Sequence, residues 1–151
     1  NILFKQQERM YTKIKNKKIT QNCIFQYNWE SKFLYHLYLK CNKITPSMKK
    51  HAELLYNNII SIINLFKNPQ TNYLAVAFES LSSLLPLIST LKIKNNIKNA
   101  LLYIFTWSIS KLVDKYERYK SNGLFYFTDG SARIDITGHF LNGLFVLHHN
   151  Q

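Results

Sequence analysis

The chain has 151 residues, of which 46% are hydrophobic and 15% aromatic, and its formal net charge is +12. This composition excludes general disorder and fits one globular domain, either whole or a piece of a larger protein. No apolar run reaches the roughly 18 residues of a membrane span, so no transmembrane segment is expected, and no secretory leader is visible.

The excess of basic residues has two explanations that the sequence leaves open. A charge of +12 suits an anionic partner such as nucleic acid, a lipid surface or an acidic polymer. An AT-rich gene would also produce it, because Lys and Asn dominate while Arg occurs only at Arg9, Arg118 and Arg133. Since Arg is the better residue for bidentate phosphate contacts, we predict only weak, non-specific binding of nucleic acid or other polyanions.

The two cysteines, Cys23 and Cys41, form no metal-binding motif. No CxxC pair, no Cys/His ligand spacing and no Gly-rich phosphate loop is present, so we expect no metal and no cofactor. A bridge between the two thiols stays open. The low cysteine content favours a reducing compartment, with the cytoplasm as the default.

The first 67 residues predict a basic arm followed by two helices. Residues 1–22 are polar and Lys-rich and are expected to form an exposed, partly flexible arm. Residues 23–151 then form a single helical domain. Its first helix runs from Asn28, as the cap, to about Asn42. The second begins at Pro46 after the capping residue Thr45 and ends near Lys67.

Two further helices are predicted in the middle of the chain. The segment from Thr71 to Leu91 has large apolar residues at helical spacing and small residues on its other sides, which favours an inner, closely packed position. Pro86 is expected to kink this helix because it removes a backbone hydrogen bond. The next helix runs from Asn95 or Asn96 to about Tyr119 and ends before Gly123.

The C-terminal stretch differs in composition from the rest. Asp129-Gly130 lies between two strand-like runs, which predicts a short β-hairpin over 124–134. A last helix is expected to start at Asp135 or Thr137. Its predicted buried side is formed by Phe140, Leu141, Leu144, Phe145 and Leu147. The predicted core of the domain includes Leu81, Leu85, Leu101, Phe105, Leu141 and Leu144.

The helix order predicts an all-α fold of about five helices in stacked helical hairpins, with a plain antiparallel bundle as the alternative. Two stretches carry a resemblance to α/α-toroid proteins, which include glycan-processing hydrolases and lyases. These are the segment from Asn122 to His139 and the inner-helix-like segment from Tyr73 to Leu81. The resemblance implies part of a toroid, in which polar residues at inner-helix entrances face a central cavity.

A second resemblance rests on two residues. Arg133 and His139 are separated by five residues, which is similar to the R-x(4–6)-H pattern of HEPN ribonucleases. That resemblance implies RNA cleavage in which the two side chains act at a ribose 2′-hydroxyl. Here Ile134 follows the Arg where the family usually has a polar residue.

The candidate site is the entrance of the last helix. Arg133, Asp135 and His139 are the candidate catalytic residues, because Arg and Asp are scarce elsewhere and cluster here. A helix N-terminus favours an anionic group, so an anionic or glycan ligand is expected, with His139 as a base that Asp135 orients. The candidate substrate-binding residues are Tyr126, Trp107, Ser131 and Thr137. The non-catalytic alternative is a helical interaction module, in which these residues only pair with one another or cap the helix.

Overall fold

The computed structural model describes residues 2–65, 70–115 and 134–150, with side chains for 2–64, 70–109 and 134–150. The regular structure in this part of the chain is helical, with no strand, which confirms the predicted all-α class. It has six α-helices, one more than predicted. They are α1 Ile2–Lys15, α2 Cys23–Cys41, α3 Pro46–Leu65, α4 Thr71–Leu84, α5 Leu91–Lys115 and α6 Ile134–His149. None of these helices is both long enough and apolar enough to cross a bilayer.

Helix α4 is the centre of the fold. It packs against α2, α3, α5 and α6, and every residue from Leu74 to Leu84 is buried. Ala75, Ala77 and Ser80 let neighbouring helices approach on several sides at once. The predicted inner position of this helix is therefore confirmed.

The helix boundaries show which local signals were reliable. Thr45 caps α3 as predicted, because its Oγ1 accepts a hydrogen bond from the Met48 backbone N–H at 3.2 Å. The prediction that Asn28 caps α2 is wrong, since α2 starts at Cys23 and Asn28 is buried inside it. The predicted kink at Pro86 is also wrong. The proline lies in a 3-10 turn, Leu85–Leu87, and α4 ends before it.

The N-terminal segment contributes to the core. Residues Ile2–Lys15, within the predicted basic arm, form α1. Ile14 is 1% exposed and belongs to the main hydrophobic cluster. The lysines of α1 therefore lie on the solvent-exposed side of a helix that packs against the core.

The C-terminal region differs from its prediction. The predicted hairpin over 124–134 lies outside the described residues, apart from Ile134, which begins α6 instead of ending a strand. The predicted buried face of α6 is rotated, because Leu141 is 58% exposed and Phe145 63% exposed. The residues of α6 that are buried are Ile136, Thr137, Phe140 and Gly143.

The predicted core residues that precede α6 are buried or partly buried, whereas those on α6 are exposed. Leu81 and Leu101 are buried, and Leu85 and Phe105 are partly buried against the core cluster. Leu141 and Leu144 are exposed, because α6 turns a face with a small residue towards α4.

Gly143 sets the distance between α4 and α6. A Cβ atom at this position would lie 2.6 Å from Cδ1 of Phe78 and 3.2 Å from Oγ of Ser82. Phe78 is itself fully buried, stacks on Phe105 and makes a tilted ring contact with Phe140. The ring therefore has little room to move away from an added methyl group.

The two glycines of α6 make a matched test of this contact. We expect Gly143→Ala to lower the free energy of unfolding by about 1–2 kcal/mol, because the cost of overpacking exceeds the gain in helix propensity. Gly138→Ala meets nothing within 4 Å and should raise it by up to about 1 kcal/mol. Urea unfolding measures both values, and equal effects of the two changes would contradict the close α4–α6 packing.

Candidate functional site

A buried carboxylate lies in the middle of the central helix. Glu79 of α4 is 1% exposed, although its neighbours on both sides are apolar or small. An isolated charge in such a position is very costly. Its presence therefore requires partners from the helices that pack around α4.

Three side chains surround the Glu79 carboxylate. Lys32 places Nζ 2.9 Å from Oε1, and Asn28, one turn earlier on α2, donates from Nδ2 to Oε2 at 3.0 Å. His139 of α6 places Nδ1 2.6 Å from Oε2. Asn28 also donates to Oγ of Ser80, 3.2 Å away. The cluster thus joins α2, α4 and α6 through one carboxylate.

These contacts determine the charge state of the carboxyl group. Burial by itself raises the pKa of Glu79, but the hydrogen bonds from His139, Lys32 and Asn28 outweigh it and lower the pKa to about 2. Glu79 is therefore ionised throughout the physiological range.

The ionised carboxylate orients the imidazole of His139. Because Glu79 can only accept, Nδ1 of His139 must carry the proton. In the neutral ring, Nε2 is then the acceptor. The side chain is 29% exposed, so solvent can reach the ring. A histidine held in this way by a carboxylate is suited to accept a proton as a general base.

A cleft opens beside this cluster, between α2, α4 and α6. Its volume is about 420 Å³, and both Lys32 and Glu79 line it. We call it the Lys32 cleft. The other polar lining residues are His36, Ser83, Asn142, His149 and Asn150, and the apolar or aromatic ones are Tyr35, Leu39, Phe145 and Val146.

Of the predicted site residues that the structure describes, His139 contacts Glu79, and the others are described in turn below. His139 belongs to the cluster, and the carboxylate bonded to it is Glu79. Asp135 is exposed in the first turn of α6, whereas Thr137 is buried there. Trp107 is partly buried and packs against the core. The remaining three candidates, Arg133, Tyr126 and Ser131, lie outside the described residues.

Sequence reasoning missed Glu79, Lys32 and Asn28. A signal for Glu79 was present, because it is the one charged residue in an otherwise apolar or small helix. Lys32 and Asn28 gave no comparable signal. Asn28 was interpreted as a helix cap, and Lys32 resembles any surface lysine until the partner on α4 is known.

A second histidine, which is fully buried, pairs with a second buried glutamate. His51 of α3 is fully buried, and its Nε2 lies 2.9 Å from Oε2 of Glu30. Its Nδ1 lies 3.2 Å from Nε2 of Gln7, whose Oε1 accepts from Ser47. This chain of hydrogen bonds ties α1, α2 and α3 together. No ligand can reach the ring, so we interpret the pair as structural. Within the described residues, no group of three metal-ligating side chains converges.

Comparisons of the chain with protein-family models, with curated proteins and with solved structures found no match.

The pKa of Glu79 leads to a prediction about acid stability. The folded-state pKa of about 2 is below the ordinary value of 4.5. The stabilisation is therefore complete above about pH 5 and is lost as the pH falls from 4.5 towards 2. It amounts to about 3 kcal/mol at most. We expect Glu79→Gln to be destabilised at pH 7 and to lose less stability than the parent between pH 5 and pH 3.

Urea unfolding at pH 7, 5 and 3 measures this effect. Glu8→Gln is the matched control, because Glu8 is an exposed residue of α1. The prediction is wrong if Glu79→Gln and Glu8→Gln lose stability equally over this range.

Proposed function

We propose that the Lys32 cleft binds a small ligand that carries a carboxylate or phosphate group. The observation that carries the proposal is the ammonium group of Lys32, which is held 2.9 Å from a buried carboxylate at the wall of a cleft of about 420 Å³. A volume of this size lies within the range of small-molecule sites, roughly 300–1,000 Å³.

Lys32 suits the recognition of an anion because it is positioned in advance. The Glu79 carboxylate engages one side of the ammonium, while 31% of the side chain remains exposed. An ammonium has three N–H donors, so it can contact a ligand without breaking the ion pair. The amide of Asn142 and the imidazole of His36 line the same cleft and can add hydrogen bonds.

The rest of the lining indicates an amphipathic ligand. Leu39, Phe145 and Val146 give the cleft an apolar side, and aromatic side chains such as Tyr35 often pack against the less polar faces of sugars and other ring compounds. The α/α-toroid resemblance suggests acidic sugars as the ligand class. The anionic group then lies at Lys32, and the ring lies over the apolar side.

A catalytic role for His139 is the second candidate. The 2.6 Å contact between its Nδ1 and Glu79 favours this role, because it leaves Nε2 to take a proton from a substrate hydroxyl or water. The same imidazole is the base in the ribonuclease alternative, which also requires Arg133. The two catalytic alternatives therefore differ in substrate: an acidic glycan in one and RNA in the other.

Ligand binding is tested with glucuronate and inorganic phosphate by titration calorimetry and by amide chemical shifts. We expect glucuronate to shift resonances of α2 and α6 around the cleft, and Lys32→Gln to weaken binding by about tenfold or more. Lys40→Gln is the matched control, since Lys40 is an exposed residue of the same helix outside the cleft. Asn142→Trp, which fills the cleft from an exposed position, should also block binding.

If neither ligand binds, or if Lys32→Gln and Lys40→Gln weaken binding equally, the proposal fails and an interaction module without a ligand becomes the better interpretation. Unfolding curves for each variant show that the fold is retained.

Catalysis is tested by comparing His139→Asn with His148→Asn, which changes an exposed histidine near the other end of α6. Both variants and the parent are incubated with mixed RNA and with acidic oligosaccharides. We expect cleavage of an acidic glycan that His139→Asn lowers by roughly 100-fold or more and that His148→Asn leaves unchanged. Loss of RNA cleavage alone supports the ribonuclease, and no cleavage by the parent rules out both catalytic alternatives.

A further inference from the structure

A second cleft, larger than the first, lies on the other side of α6. It is bounded by α5 and α6, and its floor is formed by Phe78 of α4 and by Leu85 and Pro86. Its volume is about 780 Å³. We call it the α5–α6 groove. It is distinct from the Lys32 cleft, although Asn150 at the end of α6 lines both.

The side chains of α5 that line the groove change from basic to apolar along the helix. Lys94 and Lys98 line its first part, and Leu101, Leu102 and Phe105 line the part that follows. From Lys94 to Phe105 the helix rises about 16 Å. The wall therefore changes from cationic to apolar over roughly that length.

Within the described part of the chain, the two groove lysines are available to a ligand. Among the residues that the structure describes, no carboxylate pairs with Lys94 or Lys98. The apolar walls are also incompletely covered, because Leu102 is 67% exposed and Leu144, on the α6 side, is 37% exposed. Covering such side chains stabilises a complex by roughly 25 cal/mol per Å² of apolar surface removed from water.

We propose that the α5–α6 groove binds the anion of a free fatty acid. The carboxylate lies between the ammonium groups of Lys94 and Lys98. The acyl chain follows the groove past Leu101 and Leu102 towards Phe105, with Leu144 on the opposite side. A single-chain amphiphile fits this arrangement because the groove has one cationic end and a mainly apolar remainder, in which Tyr38, Ser82 and Asn150 are the other polar side chains. An acidic peptide helix would present charge along its whole length.

The experiment is a calorimetric titration of the intact chain with monomeric laurate. We expect saturable binding of one laurate per chain. Dodecanol should bind about tenfold more weakly because it lacks the charge, and dodecyltrimethylammonium, with the same chain and a positive head, more weakly still. The double variant Lys94→Gln/Lys98→Gln should weaken laurate binding by about tenfold and leave dodecanol binding unchanged.

Two matched controls locate the site. Lys92→Gln removes a charge from the same helix outside the groove, and Leu141→Gln changes an exposed residue of α6 that does not line it. Both should bind laurate like the parent, whereas Leu102→Gln and Leu144→Gln should each weaken binding several-fold. These four variants change residues that are exposed, so they test binding in a folded chain.

Several results overturn the proposal. They are the absence of saturable laurate binding, equal binding by the lysine double variant and by Lys92→Gln, and equal binding by Leu144→Gln and Leu141→Gln. Tighter binding to anionic phospholipid vesicles than to monomeric laurate assigns the surface to a membrane instead. A dimer in solution that Leu144→Gln converts to a monomer assigns it to a second copy of the chain.

Discussion

The buried charge of Glu79 is the constraint on which the arrangement of α2, α4 and α6 depends. Helix α4 can be surrounded by other helices because most of its residues are apolar or small. The one carboxylate in its middle, that of Glu79, therefore needs a positively charged or hydrogen-bonding partner on a neighbouring helix. Lys32 and Asn28 approach it from α2 and His139 from α6. The contacts that stabilise the buried carboxylate also hold the Lys32 ammonium at the wall of the Lys32 cleft. They also determine that Nδ1 of His139 carries a proton.

A second Glu–His pair, in which both side chains are buried, holds α1, α2 and α3 together. His51 and Glu30 join α3 to α2, and Gln7 brings in α1. Because both side chains are buried, their polar atoms are satisfied by each other, by Gln7 and by Gln26. The Glu79 cluster has the same Glu–His chemistry, yet one side of Lys32 and the ring of His139 stay accessible. Exposure, and not residue type, is what separates a structural pair from a candidate site in this molecule.

The sequence was sufficient for the fold class, for the inner position of α4 and for the start of α3, because these follow from local spacing and capping. It was insufficient where two helices had to be oriented against each other. The apolar residues of α6 suggested a buried side through Leu141 and Phe145, yet the helix packs through Gly143 and Phe140. The sequence singled out His139 as a candidate because it stands at a helix entrance. Its partner Glu79 lies 60 residues earlier, and no local pattern joins two residues at that distance.

The missing side chain at Gly143 connects packing to chemistry. It lies one helical turn from His139, roughly 6 Å along the axis of α6. A methyl group there would act as a wedge between the two helix axes, since Phe78 fills the facing surface. An increase in the distance between the axes of α4 and α6 would lengthen the hydrogen bond between Nδ1 of His139 and the Glu79 carboxylate. The length of that hydrogen bond, and with it the position of the imidazole, therefore depends on the smallest residue of the interface.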